Sequence, residues 1–168
     1  LVGSEMCIRD SYSVSPTGGD LRVEAYGIRY PRGLTFNEFG TLYFTNQGME
    51  LRGTRPVKDD PDAMLRLVPG ANYRWPDYSA DLRPISDAAF QPPIDSIIRS
   101  GYREIAAVVD ANASELSKPN REVLLKGVFQ PLAGASKFDF ASGSGAFSEF
   151  RGNAIVALAG LLAGWHRG

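Results

Sequence analysis

The stretch of the chain that decides the fold is GLTFNEFGTLYFT, residues 33–45. It contains two short apolar runs, 34–36 and 41–45, which are separated by NEFG at 37–40. Asn and Gly suit the tight turn between two antiparallel strands. The stretch therefore predicts a β-hairpin.

The flanking sequence continues the β pattern on both sides of this hairpin. Residues 21–26, LRVEAY, alternate apolar and polar side chains with the period of a half-buried strand, and residues 63–68, AMLRLV, predict another. The intervening segment 46–61 is polar and ends in an acidic run at 59–62, so it is expected to be an exposed loop. Strand, turn, strand, long loop and strand is the layout of a propeller blade.

A similar hairpin pattern returns near the C-terminus. KFDF at 137–140 is followed by a Gly/Ser turn at 141–145 and then by the apolar run NAIVALA at 153–159. The offset from the first hairpin is about 100 residues, which suits one or two steps between blades of ~40–50 residues. The repeat predicts an all-β fold, specifically a partial β-propeller.

Two other segments carry weaker structural signals. Residues 77–93 are rich in Pro and Asp and should be irregular, whereas apolar spacing in 94–109 predicts one or two short helical turns. The chain contains 18 Gly and 11 Pro, which is more than a helical bundle tolerates. Both counts agree with a fold of short strands and turns.

Composition excludes several classes of partner and site. The formal net charge of −1 leaves no basic field for collecting phosphates, so no nucleic acid is expected. No apolar run approaches the ~20 residues that a membrane span needs. Cys7 is the single cysteine, so neither a disulfide framework nor a thiolate metal cluster is expected.

The first residues are expected to lie outside the fold. Residues 1–11, LVGSEMCIRDS, resemble the translated tail of a sequencing-library adapter. Residues 12–168 are then expected to form a partial propeller domain that is truncated at both ends.

Residues 26–76 resemble the glucose/sorbosone dehydrogenase family, whose soluble sugar dehydrogenases carry pyrroloquinoline quinone. The matching runs, in the family's order and spacing, are GIRYPRGLTF at 27–36, NQG at 46–48, the Asp62-Ala63 pair and GANYRWP at 70–76. The resemblance implies a six-bladed β-propeller, of which this chain would supply about two to three blades of four-stranded antiparallel sheet.

The resemblance also implies roles for four residues. Arg29 stands where the family's arginine reaches the quinone, and a guanidinium fork suits carboxylate and quinone oxygens. Gly48 and Met49 stand where main-chain carbonyls ligate a calcium ion that polarises the quinone, and Gln47 flanks both groups. Calcium accepts such oxygens readily and acts as a Lewis acid.

The implied activity is hydride transfer from a sugar or sugar-derived aldehyde to the quinone, with a cytochrome or other electron acceptor as a possible partner. The implied location of the full-length protein is periplasmic or secreted. The family's general base is a histidine on an upstream blade, and His166 does not match it. The chain alone is therefore expected to be inactive and to contain no catalytic residue.

Two alternatives stay open. One is a calcium-dependent lactonase-like propeller, and the other is a propeller that only binds sugars or proteins. The family's asparagine and glutamate are replaced here by Tyr30 and Ala63, and its glycine before tryptophan is replaced by Arg74. The acidic run 59–62 is expected to be solvated, and Trp75 with Tyr73 is expected to pack within a blade.

Overall fold

A computed structural model describes residues 10–51, 56–93, 118–143 and 145–160 of the 168-residue chain. The predicted helical turns in 94–109 lie outside these residues, as do Cys7 and His166. Within the described ranges the chain forms strands joined by turns and single helical turns, so the all-β prediction is confirmed. The strands are β1 (Ser11–Ser13), β2 (Arg22–Ala25), β3 (Pro31–Phe36), β4 (Leu42–Asn46), β5 (Pro61–Arg66), β6 (Leu125–Pro131), β7 (Ala135–Phe140) and β8 (Ala154–Leu158).

The predicted hairpin is formed by β3 and β4. Leu34 pairs with Phe44 across the two antiparallel strands. In the turn, the Asn37 side-chain oxygen accepts hydrogen bonds from the main-chain N–H groups of Phe39 at 3.1 Å and Thr41 at 2.8 Å. Gly40 takes the left-handed conformation with φ of 73°, which favours glycine. The turn residues thus fix this hairpin locally.

The hairpin belongs to a four-stranded antiparallel sheet in which β3, β4, β5 and β6 are neighbours in chain order. The β5 strand was predicted, but β6 was not. It follows a single α-helical turn, Arg121–Leu124, that is capped by the Asn120 side chain. Lys126 and Gly127 interrupt the apolar alternation of β6, and more than half of its residues are exposed. The sequence pattern alone therefore does not reveal this strand.

One face of this sheet carries the main apolar core. Phe44 and Leu65 are fully buried there against Ala25 of β2 and against Tyr73. The rings of Phe44 and Tyr73 meet edge to face with centroids 5.2 Å apart. The packing role that was predicted for Tyr73 is confirmed.

The opposite face of the sheet packs against the second predicted hairpin, which β7 and β8 form as antiparallel partners. The β7 strand crosses directly over Gly33, where an added Cβ would lie 3.0 Å from Phe138 and 3.1 Å from Lys137. The Thr35 hydroxyl donates to the Phe138 carbonyl oxygen at 3.0 Å. The β7 strand therefore lies on this face, and β7 and β8 form a sheet separate from β3–β6.

The prediction that segment 46–61 is an exposed loop is wrong for most of its described residues. Met49 and Val57 are buried in a second apolar cluster with Ile85 and Phe90, and Asp60 is 2% exposed. Segment 77–93 is irregular, as predicted, apart from a 3-10 turn at Ala88–Phe90. These two segments pack on each other, which buries most of the described residues of segment 46–61.

The β1 strand pairs antiparallel with β2 and begins at Ser11, which lies opposite Ala25. The side chain of Asp10 accepts a hydrogen bond from the Gly27 N–H at 3.3 Å. The predicted boundary after residue 11 therefore falls inside β1. No helix in the described part of the chain is long and apolar enough to cross a membrane.

Candidate functional site

The structure brings together the residues that the sequence resemblance singled out. The Arg29 Nη1 atom donates hydrogen bonds to the main-chain carbonyl oxygens of Gln47, at 3.1 Å, and of Gly48. Arg29 is half-buried in the connection between β2 and β3. One guanidinium nitrogen thus faces two consecutive carbonyl groups at the end of β4.

Hydrogen bonds around Asn46 hold the connection between β2 and β3 against the end of β4. The Asn46 side-chain oxygen accepts from the Tyr30 N–H at 2.9 Å, and the Gln47 N–H donates to the Tyr30 carbonyl at 3.2 Å. Asn46 is 3% exposed, so water does not compete for these bonds. They place Arg29 next to the residues that follow β4.

Gly48 occupies a position where no other residue fits. A Cβ added there would lie 2.6 Å from the Pro61 carbonyl oxygen and closer still to that of Asp60. The Gly48 N–H donates to Oδ1 of Asp62 at 2.9 Å. The close approach of β5 to this residue therefore requires glycine.

Met49 is the next residue of the site, and both its main chain and its side chain are held in place. Its N–H donates to Oδ2 of Asp60 at 2.6 Å, and its side chain packs in the second apolar cluster beside Trp75. The packing role predicted for Trp75 is thereby confirmed. The four predicted residues Arg29, Gln47, Gly48 and Met49 lie together, and their proposed roles toward a quinone and a calcium ion stay predictions.

The acidic run behind these residues is not solvated, contrary to expectation. Asp60 and Asp62 are each 2% exposed, whereas the side chain of Asp59 is 66% exposed. The second oxygens of the buried pair accept from Ala80 at 2.9 Å and Ala135 at 2.7 Å. Each buried carboxylate therefore receives two main-chain N–H groups, which offset part of the cost of its burial.

The buried position of Asp60 changes its acidity. Burial is the main cause that raises the pKa of this carboxyl group to about 7, and the charge of the nearby Asp81 acts in the same direction. The N–H groups of Met49 and Ala80 and the charge of Arg29 lower the pKa, but they do not cancel the desolvation.

A cleft of about 450 Å³ opens at this site. Its acidic lining includes Glu50, which the sequence analysis missed, and it has no basic side chain among the residues that line it. The opposite wall comes from the turn after β6 and from the chain after β8, where Gly160 donates to the Ala133 carbonyl at 2.9 Å. The lining residues are Gln47, Gly48, Glu50, Asp62, Leu132, Gly134, Ala159 and Gly160.

The donor set suits a hard cation or the positive end of a polar ligand. Two carbonyl oxygens already face the Arg29 cation, and the Glu50 side chain and the Asp62 carboxylate add negative charge nearby. Across residues 10–51, 56–93, 118–143 and 145–160, no group of three or more His, Cys, Asp and Glu side chains is arranged to hold a metal ion.

No family model, no curated protein and no solved structure matches this chain.

Proposed function

We propose that this chain is part of a β-propeller quinoprotein that oxidises a sugar or a sugar-derived aldehyde with pyrroloquinoline quinone and calcium. The observation that carries the proposal is the convergence of Arg29 with the carbonyl groups of Gln47 and Gly48, two residues that also line an acidic cleft. The sequence resemblance at residues 26–76 assigns Arg29 to the quinone and the carbonyl groups of Gly48 and Met49 to calcium, with Gln47 beside them.

The sheet arrangement supports a propeller. A four-stranded antiparallel sheet with its strands in chain order is the unit from which propeller blades are built. The β7–β8 hairpin packs on the face of that sheet instead of extending its edge, as the next blade of a ring would. We propose that β3 to β6 form one blade and that β7 and β8 begin another, while β1 and β2 form a two-stranded ribbon.

The proposal gives each ligand its own residues. Arg29 would bind acidic or carbonyl oxygens of the quinone through charge-assisted hydrogen bonds. The carbonyl groups of Gly48 and Met49, with Gln47 beside them, would hold calcium, a hard cation that prefers oxygen ligands. When bound, the calcium ion would act as a Lewis acid on the quinone, which accepts the hydride.

The remaining parts of the reaction are assigned by the resemblance. The histidine that removes the hydroxyl proton of the substrate is expected on another blade, so this chain would bind the quinone without turning over substrate. A cytochrome or another acceptor would take the electrons, and the full-length protein would work in the periplasm or outside the cell.

The proposal is tested by titrating the chain with pyrroloquinoline quinone, either with Ca²⁺ or with a chelator, while the quinone absorbance is recorded. The expected result is Ca²⁺-dependent binding that Arg29→Ala weakens by about tenfold to a hundredfold, the usual value of a charged hydrogen bond. Arg32→Ala is the matched control, because Arg32 is exposed and lies over the Tyr30 ring at 5.1 Å. Quinone binding that depends on neither Ca²⁺ nor Arg29 would contradict the proposal.

Two further assays, of sugar binding and of lactone hydrolysis, separate the two alternatives. Sugar binding without any quinone binding would favour a propeller that only recognises its ligand. Ca²⁺-dependent hydrolysis of a lactone would favour a lactonase-like enzyme instead.

A further inference from the structure

The core-forming face of the four-stranded sheet is only partly covered. Leu34 pairs with Phe44 and Phe36 pairs with Leu42, so all four side chains lie on this face. Phe44 is fully buried and Leu42 packs against the same core, whereas Leu34 is 61% exposed and Phe36 is 64% exposed. The edge strand β3 therefore leaves two large apolar side chains uncovered.

A groove of about 410 Å³ opens over these two side chains. Its lining also includes Leu42, Leu67 and, from β1, Tyr12, which is 52% exposed. A contiguous apolar surface of this kind usually marks a place where another chain binds. The groove shares no lining residue with the cleft of the candidate site.

The neighbouring part of the same face shows which kind of element covers it. The β1–β2 ribbon lies there, and Ala25 of β2 is fully buried against Phe44 and Leu65. The β1 strand comes next, because Tyr12 lines the groove. A further strand beside β1 would continue the ribbon over the exposed side chains of β3.

The main chain of β1 is able to accept such a strand. On the side of β2 that faces away from β1, the Gly70 N–H donates to the Glu24 carbonyl at 2.7 Å, and the Tyr26 N–H donates to the Ala71 carbonyl at 2.9 Å. Within the described part of the chain, β1 has no strand neighbour except β2. Main-chain polar groups point to both sides of an antiparallel strand, so β1 presents some of its own at a free edge.

The surface around the groove is complementary to itself. Tyr12 stands beside a groove whose volume exceeds that of one aromatic side chain, and the groove is also lined by two opposite charges, Arg32 and Glu24. In the described ranges these charges bond to neutral hydroxyl groups, Glu24 to Ser13 at 2.6 Å and Arg32 to Tyr30 at 2.9 Å. A two-fold interface requires such self-complementarity, because the same patch meets itself.

We propose that the free edge of β1 and the groove beside it bind a second copy of this chain. The β1 strands of the two copies pair antiparallel across a two-fold axis, so the two ribbons form one four-stranded sheet. Each Tyr12 then enters the groove of the other copy and covers the exposed side chains of β3. Because β1 has only three residues, apolar contacts supply most of the affinity, and the dimer is weak and reversible.

The test is sedimentation equilibrium of the whole chain, without quinone or Ca²⁺, at concentrations up to about 1 mM. The expected result is a monomer–dimer equilibrium that Phe36→Lys weakens by about tenfold to a hundredfold, because the charge enters the interface twice per dimer. Phe39→Lys is the matched control. Phe39 is on the same hairpin and is 81% exposed, but it does not line the groove, so the dimer should change by less than about twofold.

Amide hydrogen exchange tests the strand pairing itself. Protection of residues 11–13 should rise with protein concentration in wild type and in Phe39→Lys, but not in Phe36→Lys. Protection of β4 should be equal in all three proteins, which shows that the variants are folded. A wild-type dimer in which residues 11–13 gain no protection would overturn the inference, even if a variant failed to fold.

Three other outcomes would also overturn it. They are a chain that stays monomeric at every concentration, association that continues beyond a dimer without limit, and a dimer that Phe39→Lys weakens as much as Phe36→Lys does. None of them bears on the proposed function, because the quinone is absent and the groove lies apart from the cleft.

Discussion

The hydroxyl of Thr45 donates a hydrogen bond to the main-chain carbonyl oxygen of Ser136 at 2.7 Å. The same hydroxyl accepts a bond from the Gly33 N–H at 2.9 Å. Thr45 is fully buried, so one side chain joins β3, β4 and β7 in the interior. The packing of β7 on the β3–β4 hairpin depends on polar contacts of this kind as well as on apolar packing.

Removal of this hydroxyl should destabilise the protein. Thr45→Val keeps the shape of the side chain but leaves the Gly33 N–H and the Ser136 carbonyl without their partner, at a cost of about 1–3 kcal/mol. Thr45→Ser keeps the hydroxyl and loses only a methyl group, which costs about 0.8 kcal/mol. Urea unfolding measures both. Equal stability of the two variants would show that the hydroxyl bridge is unimportant.

A methyl group at position 48 should disrupt the site. In Gly48→Ala the new Cβ would collide with the main chain of β5, 2.6 Å from the Pro61 carbonyl oxygen, so the turn must move. We expect a loss of about 2 kcal/mol or more in unfolding free energy. The control is Gly127→Ala in β6, where a Cβ would meet Met64 at an ordinary 3.6 Å. A tolerated Gly48→Ala would contradict the close approach of β5.

Stability should fall at high pH through Tyr73. Its hydroxyl donates to the Arg66 carbonyl and accepts from the Val68 N–H at 3.2 Å, and burial raises the pKa of Tyr73 to about 12. The unfolded chain loses this proton near the ordinary value of 10, so between pH 10 and 12 the folded state binds more protons. The stabilisation that the protonated Tyr73 phenol contributes is therefore complete below pH 10 and is lost as the pH rises to 12.

The corresponding measurement compares unfolding of wild type and Tyr73→Phe as a function of pH. Phenylalanine has no proton to lose, so the difference between the two proteins isolates this residue from the lysines that titrate nearby. The stability of wild type relative to the variant should drop by about 2 kcal/mol over this range. A constant difference would show that the Tyr73 phenol titrates equally in both states.

The buried Asp81 should contribute more than the exposed acid Asp59. Its carboxylate accepts from Ser79 at 2.6 Å, Arg83 at 2.8 Å and Arg121 at 3.2 Å, and so joins segment 77–93 to the helical turn before β6. Since both arginines are partly exposed, Asp81→Asn should cost about 1–3 kcal/mol in thermal or urea unfolding, less than a fully buried pair. Asp59→Asn should cost under about 1 kcal/mol.

Local signals account for the parts of the fold that the sequence predicts. The turn residues Asn37 and Gly40 and the two-residue alternation around them specify the β3–β4 hairpin, and a Gly/Ser turn does the same for β7–β8. The β6 strand has no such signal, because its partner β5 lies about 60 residues earlier along the chain. Pairing across that distance is decided by packing and not by local pattern.

In the candidate site, too, some features were predicted from the sequence and others were not. The family resemblance singled out Arg29, Gln47, Gly48 and Met49, and the structure places all four together. The acidic run was interpreted as solvated because consecutive acids are normally exposed. The partners that bury Asp60 and Asp62 include Ala80 and Ala135, which come from other segments of the chain, so composition does not reveal them. The two-residue spacing of Asp60 and Asp62 was the one sequence signal that could have suggested that both side chains lie on the same side of an extended segment.

The most direct test of the proposed quinone site is crystallographic. Crystals of the chain grown with pyrroloquinoline quinone and Ca²⁺ should show anomalous density for the ion at about 2.3–2.6 Å from the Gly48 carbonyl oxygen. The quinone should then lie within hydrogen-bond distance of the Arg29 guanidinium. An ion and a quinone bound away from these two residues, or a cleft that stays empty at saturating ligand, would contradict the proposed function.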